Sequence, residues 1–243
     1  MHSDPHWLQG NNPPGCSRYN ALVISTAQLW SGDGLPQFLQ DLLAAEMPWE
    51  LLERLDAFVA TVTDDRQGRI HPNAVIEGNV YLHNTACIGP GALVEGPAWI
   101  GPGAMVGHGA YVRGGVVMAE GSKVGHSSEV KRSLLLAEAK APHFNYVGDS
   151  VLGRHVNLGA GVKIANFSAF GTGIKVAAGN GLVLRKAGAL IGDDVSVGCN
   201  AVLAPGTVVG ARTVIYNGSN IRGVVPADSI VKLRTTQETV SRS

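Results

Sequence analysis

Cysteine and aromatic residues are scarce in this chain of 243 residues: three cysteines, five phenylalanines, five tyrosines and four tryptophans. Cys16, Cys87 and Cys199 have neither disulfide-framework nor metal-ligand spacing, which points to a reducing compartment. Neither sign of charge is in excess. The 19 basic and 19 acidic residues cancel, so the clustered basic surplus of a general nucleic-acid surface is missing. No apolar run approaches the roughly 20 residues that span a bilayer, and no signal-type leader opens the chain. A soluble, cytoplasmic protein with no nucleic-acid or membrane partner is expected. What is abundant is glycine, 32 residues, which suits a fold with many tight turns.

Residues 1–70 stand apart from the rest. The first 19 are polar, hold Pro5, Pro13 and Pro14, and read as a flexible arm. Asn20 to Trp30 reads as a short strand. Leu35, Phe38, Leu39, Leu42 and Leu43 have helical spacing, and Pro48 ends that helix and opens another carrying Trp49, Leu52, Leu55, Phe58 and Val59. Such a pair cannot bury its apolar stripe alone, so it should pack on the rest of the chain or on a neighbouring subunit. Nothing in it suggests chemistry.

From Ile76 onward the chain repeats with a period of six. Ile76, Leu82, Ile88, Val94, Ile100, Val106, Val112, Met118, Val124, Val130 and Leu136 recur at that step, and a mostly small residue stands two places before each. This period fits neither a helix nor an alternating strand. It fits a coil of triangular cross-section, one short strand and one corner per side, with the aliphatic residue on the axis. About seven stacked coils of about 18 residues are expected, each stabilised by its neighbours. The repeat should occupy 71–225, with a tail over 226–243.

Two places break step. From Pro142 to Leu152 is ten residues, at a point that brings together His143, Tyr146 and Asp149. A long insertion at about 166–188 holds two alternating segments, which predicts an extruded hairpin or loop placed as a substrate cover. The first break is expected to be the active site, with Asp149 orienting His143. One coil separates Arg113 from Lys131, so these two should stack as a ladder of positive charge.

The runs EVKRS, HFNYVGD, VNLGAG with Asn166, and RKAGALIGDD resemble the acetyltransferase half of the bifunctional glucosamine-1-phosphate acetyltransferase/N-acetylglucosamine-1-phosphate uridylyltransferase family. They are also similar to the sugar-1-phosphate nucleotidyltransferase/acetyltransferases, best over about 110 to 210. The resemblance implies an all-β, left-handed parallel β-helix and a homotrimer with sites between subunits. It implies transfer of an acetyl group from acetyl-CoA to an amino sugar phosphate, with no metal in the site. His143 matches the family's catalytic histidine; an imidazole, ordinarily titrating near about 6.5, suits a general base. Arg113, Lys131 and Lys186 match positions that bind the sugar phosphate, and Tyr146, Asn157 and Asn166 match polar residues of the same pocket. Cys199, Asn217 and Arg234, with Lys232 near it, fall where the family meets coenzyme A. Residues 1–70 are too few for the uridylyltransferase half, and its Gly-rich nucleotide loop has no counterpart here.

Two other readings stay open. One is a non-catalytic β-helix that binds sugar phosphates or nucleotides or serves as a scaffold. The other is acyl transfer to a hydroxyl, for which His143 serves equally. A zinc site of the γ-carbonic-anhydrase kind looks for a His-x4-His pair, and the sequence has none.

Overall fold

The recurring aliphatic residues line the axis of a triangular prism, and hydrogen bonding along its three faces fixes the coils. In the computed structural model, which describes residues 24–179, 181–234 and 236–242, the strands form three parallel sheets. The expected arm 1–19, with Cys16, and residues 20–23 of the expected strand lie outside the described residues. The first face runs from Asp65–Arg66 to Val224–Val225 in nine strands. The second runs from Arg69–Ile70 to Ile230–Val231 in nine, and the third from Val75–Glu77 to Asn220–Ile221 in eight. The result is a left-handed parallel β-helix of nine coils, not about seven. The extra turns arise because pairing begins at Asp65, before Ile76, and continues to Val231, beyond Ile221. Among the described residues no helix is long and apolar enough to cross a membrane.

The break in the repeat differs from the sequence reading. Early coils are 18 residues long, as in Val80 opposite Ala98; those in the middle are 17, as in Val130 opposite Val147 and Leu135 opposite Leu152. The axial residues are therefore Val130, Leu135, Ala141, Val147 and Leu152, and neither Leu136 nor Pro142 points inward. Two five-residue steps, Val130 to Leu135 and Val147 to Leu152, replace the single ten-residue gap. Serine makes each short corner possible. Ser133 Oγ donates to the Lys131 carbonyl at 2.8 Å and accepts the Ser150 amide at 3.1 Å; Ser150 Oγ donates to the Gly148 carbonyl at 2.7 Å and accepts the Ala189 amide at 3.0 Å.

The first face is buried on both sides, which accounts for three consecutive leucines at 134–136. Leu135 points to the axis. Leu134 and Leu136 point out, into a second core with Val117, Val151 and Val208. The cover is the N-terminal element: α1 (Thr26–Leu29), α2 (Gln37–Leu43), a 3₁₀ turn (Pro48–Glu50) and α3 (Leu51–Val59). It packs on the chain's own prism. Phe38 stacks on Phe58 at 4.8 Å and meets Trp99 edge-on at 4.7 Å; Trp99 in turn stacks on Tyr81 at 5.5 Å. The expected strand to Trp30 contains α1 instead, because the Ser25 amide donates to Gln28 Oε1 at 2.8 Å and starts a helical turn. Trp30 Nε1 then donates to the buried carbonyl of Ile191 at 2.8 Å and anchors the segment.

The insertion leaves from the corner between the third and first faces. Ile174–Lys175 pairs antiparallel with Val183–Leu184, as alternation suggested. Rather than standing off the prism as a free cover, it folds back on the first face and buries Ile174, Val176 and Ala178 in the second core.

Candidate functional site

The corner between the third and first faces collects charge. Lys131 stacks on Arg113, because Glu129 and Val130 pair in register with Tyr111 and Val112. The ladder of charge read from the spacing is present, but Arg113 is engaged: its guanidinium donates to Glu129 at 2.8 Å and lies 5.7 Å from the Tyr111 ring centroid. Burial pushes the Lys131 ammonium below the ordinary lysine range; Asp149 opposes this and Lys186 reinforces it. Lys131 Nζ is 4.0 Å from Asp149 Oδ2, a loose pairing that leaves donors for an anion.

Asp149 is 1% exposed and is the hub of the corner. Oδ1 accepts Arg132 Nη1 at 3.1 Å, and Oδ2 accepts the amide of Asn166. Tyr146 Oη donates to Asn166 Oδ1 at 3.3 Å. Burial, reinforced by Glu129, pushes the Tyr146 phenol up, so it stays a neutral hydrogen-bond donor. Asp149 therefore does not orient His143. The two lie at opposite ends of the third-face strand Tyr146–Gly148, and a six-residue separation within one coil puts them on different corners.

His143 is exposed at the corner between the second and third faces. Its main-chain amide donates at 2.9 Å to Oδ1 of Asn145, and buried Asn145 donates to the Gly159 carbonyl at 2.8 Å. His143 is in register with His126, and the His126 ring stacks on His108 at 4.9 Å. Asn157 is exposed on the second face opposite Lys140. Further along that face, Cys199 gives its amide to Asn217 Oδ1 at 2.9 Å, beside a groove of about 520 Å³ edged by Tyr216, Asn217 and Leu233. Arg234 is exposed in the C-terminal segment. The candidates thus fall into two groups within one subunit. Arg113, Lys131, Tyr146, Asn166 and Lys186 lie toward one edge of the third face; His143, Asn157, Cys199 and Asn217 lie toward the other.

Other residues join the first group that the sequence reading left without a role. Arg132 follows Lys131 at the corner, Arg185 precedes Lys186, and Trp49 and Glu53 approach from the N-terminal element. Together these six border a cleft of about 390 Å³. Only the adjacent basic pairs were visible as a signal; nothing near Trp49 marks it as part of a site.

The strand pattern and the matched repeats define the fold class, the hexapeptide-repeat left-handed parallel β-helix. Residues 94–190 match the family model described as the GMPPB C-terminal domain, and residues 188–223 match bacterial transferase hexapeptide (six repeats). More particularly, the chain is 38% identical over 99 residues to the bifunctional protein GlmU of Listeria welshimeri, 41% of this chain and 19% of that protein. It is 42% identical over 84 residues to the bifunctional sugar-1-phosphate nucleotidylyltransferase/acetyltransferase of Sulfurisphaera tokodaii, 33% of this chain and 21% of that one. The chain thus spans about a fifth of the length of these relatives. Among solved structures it is similar to the UDP-N-acetylglucosamine acyltransferase from Campylobacter jejuni, at 16% identity and a TM-score of 0.35 over 67% of this chain and 66% of that one. At that score the overlay fixes no residue correspondence.

Proposed function

We propose that this chain is an acetyl-CoA-dependent N-acetyltransferase whose acceptor is an amino sugar phosphate of the glucosamine-1-phosphate type, acting in the cytoplasm. The observation that carries the proposal is the cationic cleft at the third-first corner, where Lys131 and Lys186 converge beside the Asp149–Asn166–Tyr146 cluster. The likeness to a relative named for sugar-1-phosphate nucleotidyl transfer and acetyl transfer supports the same acceptor class.

In this reading Arg113, Lys131 and Lys186 hold the phosphate, while Tyr146, Asn157 and Asn166 hold the sugar. His143 takes the proton from the acceptor amine as its nitrogen attacks the thioester carbonyl carbon. A carbon–nitrogen bond forms, and hydrogen-bond donors stabilise the tetrahedral oxyanion. The carbon–sulfur bond then breaks, and the proton held by His143 goes to the departing thiolate. Cys199, Asn217 and Arg234 meet coenzyme A, and the groove beside Asn217 has room for its extended arm. The split of these residues between two edges of the third face supports a homotrimer in which a neighbouring subunit brings the second group to the first.

The test is thiol release from acetyl-CoA with a panel of amino sugar phosphates, comparing the unmodified chain with His143→Ala. Activity that falls by about 100-fold or more in the variant is expected. A folded trimer that releases no thiol with any acceptor, yet binds sugar phosphate, would leave the non-catalytic binding reading in its place. That second reading is favoured by one observation, the separation of His143 from the cleft within a single subunit.

A further inference from the structure

One wall of the cleft does not belong to the β-helix. Lys131, Arg132 and Asp149 line it from the prism and Lys186 from the end of the insertion, while Trp49, from the 3₁₀ turn, and Glu53, from the first turn of α3, line it from the N-terminal element. The indole and the carboxylate both border the cleft, one from the turn that leads into α3 and the other from its first turn. Trp49 is half-buried and Glu53 is exposed.

The wall is held in place. Arg132 grips Asp56 of α3 at 2.6 Å while it grips Asp149 at 3.1 Å, and the Phe38–Phe58 stack fixes α2 against α3. Three segments distant in sequence therefore meet with set geometry around about 390 Å³, a volume within the range of small-molecule sites.

The two walls recognise different chemistry. Ammonium and guanidinium groups hold an anion and ask nothing of what the anion is attached to. An indole offers a flat apolar surface to a ring, and a carboxylate accepts hydrogen bonds from hydroxyl or amino groups. Placed beside these cationic groups, a carboxylate also weakens the hold on a bare anion, so it selects for a ligand with donors next to its phosphate. We propose that Trp49 and Glu53 are specificity-determining residues of this cleft. They select a sugar phosphate over other anions, with Trp49 covering the ring and Glu53 accepting hydrogens from its hydroxyl or amino groups. This rests on the acceptor-binding role proposed above for Lys131 and Lys186.

Isothermal titration of the full chain with inorganic phosphate and with glucosamine-1-phosphate tests it, in the unmodified protein and in Glu53→Gln, Trp49→Phe and Trp49→Ala. Thiol release and melting curves are recorded in parallel. The unmodified protein is expected to prefer the sugar phosphate by about 10-fold or more, and Glu53→Gln and Trp49→Ala are each expected to reduce that preference by about 5- to 10-fold. Phosphate affinity should stay the same or rise in Glu53→Gln, and Trp49→Phe should keep most of the preference. Glu53 is exposed, so its variant is expected to fold even if Trp49→Ala does not. A preference unchanged in Glu53→Gln, or unchanged in a folded Trp49→Ala, or phosphate and sugar-phosphate affinities falling together, overturns the proposal. If no thiol is released but the preference shifts as stated, acyl transfer fails and the cleft assignment stands. If thiol is released yet neither Glu53→Gln nor a folded Trp49→Ala alters acceptor preference, the reverse holds.

Discussion

The guanidinium of Arg132 donates to Asp56 at 2.6 Å and, from another nitrogen, to Asp149 at 3.1 Å, tying α3 to the corner of the prism across 76 residues of chain. The two carboxylates are not equivalent: the Asp56 side chain is 47% exposed and that of Asp149 is 1% exposed. Removing Arg132 leaves a buried carboxylate short of its cationic partner, whereas removing Asp56 breaks an ion pair open to water. Arg132→Ala should therefore cost about 2–4 kcal/mol of stability. Asp56→Asn should cost about 1 kcal/mol or less. Urea denaturation of both variants checks this, and a larger loss for Asp56→Asn would contradict the ranking.

Gly148 sits where a side chain has no room. A methyl group there would fall on the amide of Asn166 and within 2.9 Å of the Tyr146 hydroxyl. Gly148→Ala should displace both and break the Asn166–Asp149 bond, destabilising the chain by about 1–3 kcal/mol. It should weaken sugar-phosphate binding as well. Wild-type affinity and stability in this variant would show that the Asp149–Asn166–Tyr146 cluster tolerates displacement.

Lys131 titrates below the ordinary lysine range because it is buried, with Lys186 adding to the effect. An anion binds the ammonium form, so phosphate binding takes up a proton at this site. Affinity should fall as pH rises through the Lys131 value, at lower pH than an ordinary lysine near about 10.4 would give. Arginine stays charged throughout, so Lys131→Arg should shift that loss upward. Titrations with inorganic phosphate between about pH 7 and 10 read this directly. An alkaline limb identical in both proteins would remove Lys131 from the binding site.

Trp30 is one of several ties between the first described segment and the prism: its indole donates to the Ile191 carbonyl, next to the Ser31 amide's bond to Asp193 at 2.9 Å. Trp30→Phe keeps the apolar bulk but leaves the buried Ile191 carbonyl without its indole donor. A loss of about 1–2 kcal/mol is expected, read as a shift in the denaturation midpoint with an unchanged slope. A change in slope would instead mark a wider loosening of the N-terminal element.

Much of the β-helix was legible in the chain alone, because one aliphatic residue at each sixth position satisfies a prism axis and no other regular structure. The stacking of Lys131 on Arg113 followed from that period. The hairpin in the insertion showed as alternation around glycine. Periodicity could not place the slip, since Leu134, Leu135 and Leu136 are all apolar and any of them can be read as the axial residue. Packing chose Leu135, because the second core buries its two neighbours from outside. The partner of Asp149 was also undecidable from spacing: a corner residue turns its side chain according to the corner's backbone, and this corner sends it to Arg132 and Asn166, away from His143. Nor could local sequence show that Trp49 and Glu53 reach the cleft, because their approach depends on contacts between α3 and residues some 80 positions later. The sequence by itself determined the repeat, the axial residues on either side of the slip, and the motif at His143 to Asp149. Only the tertiary structure decided which side chains share a cleft, because that depends on long-range docking of separately formed elements.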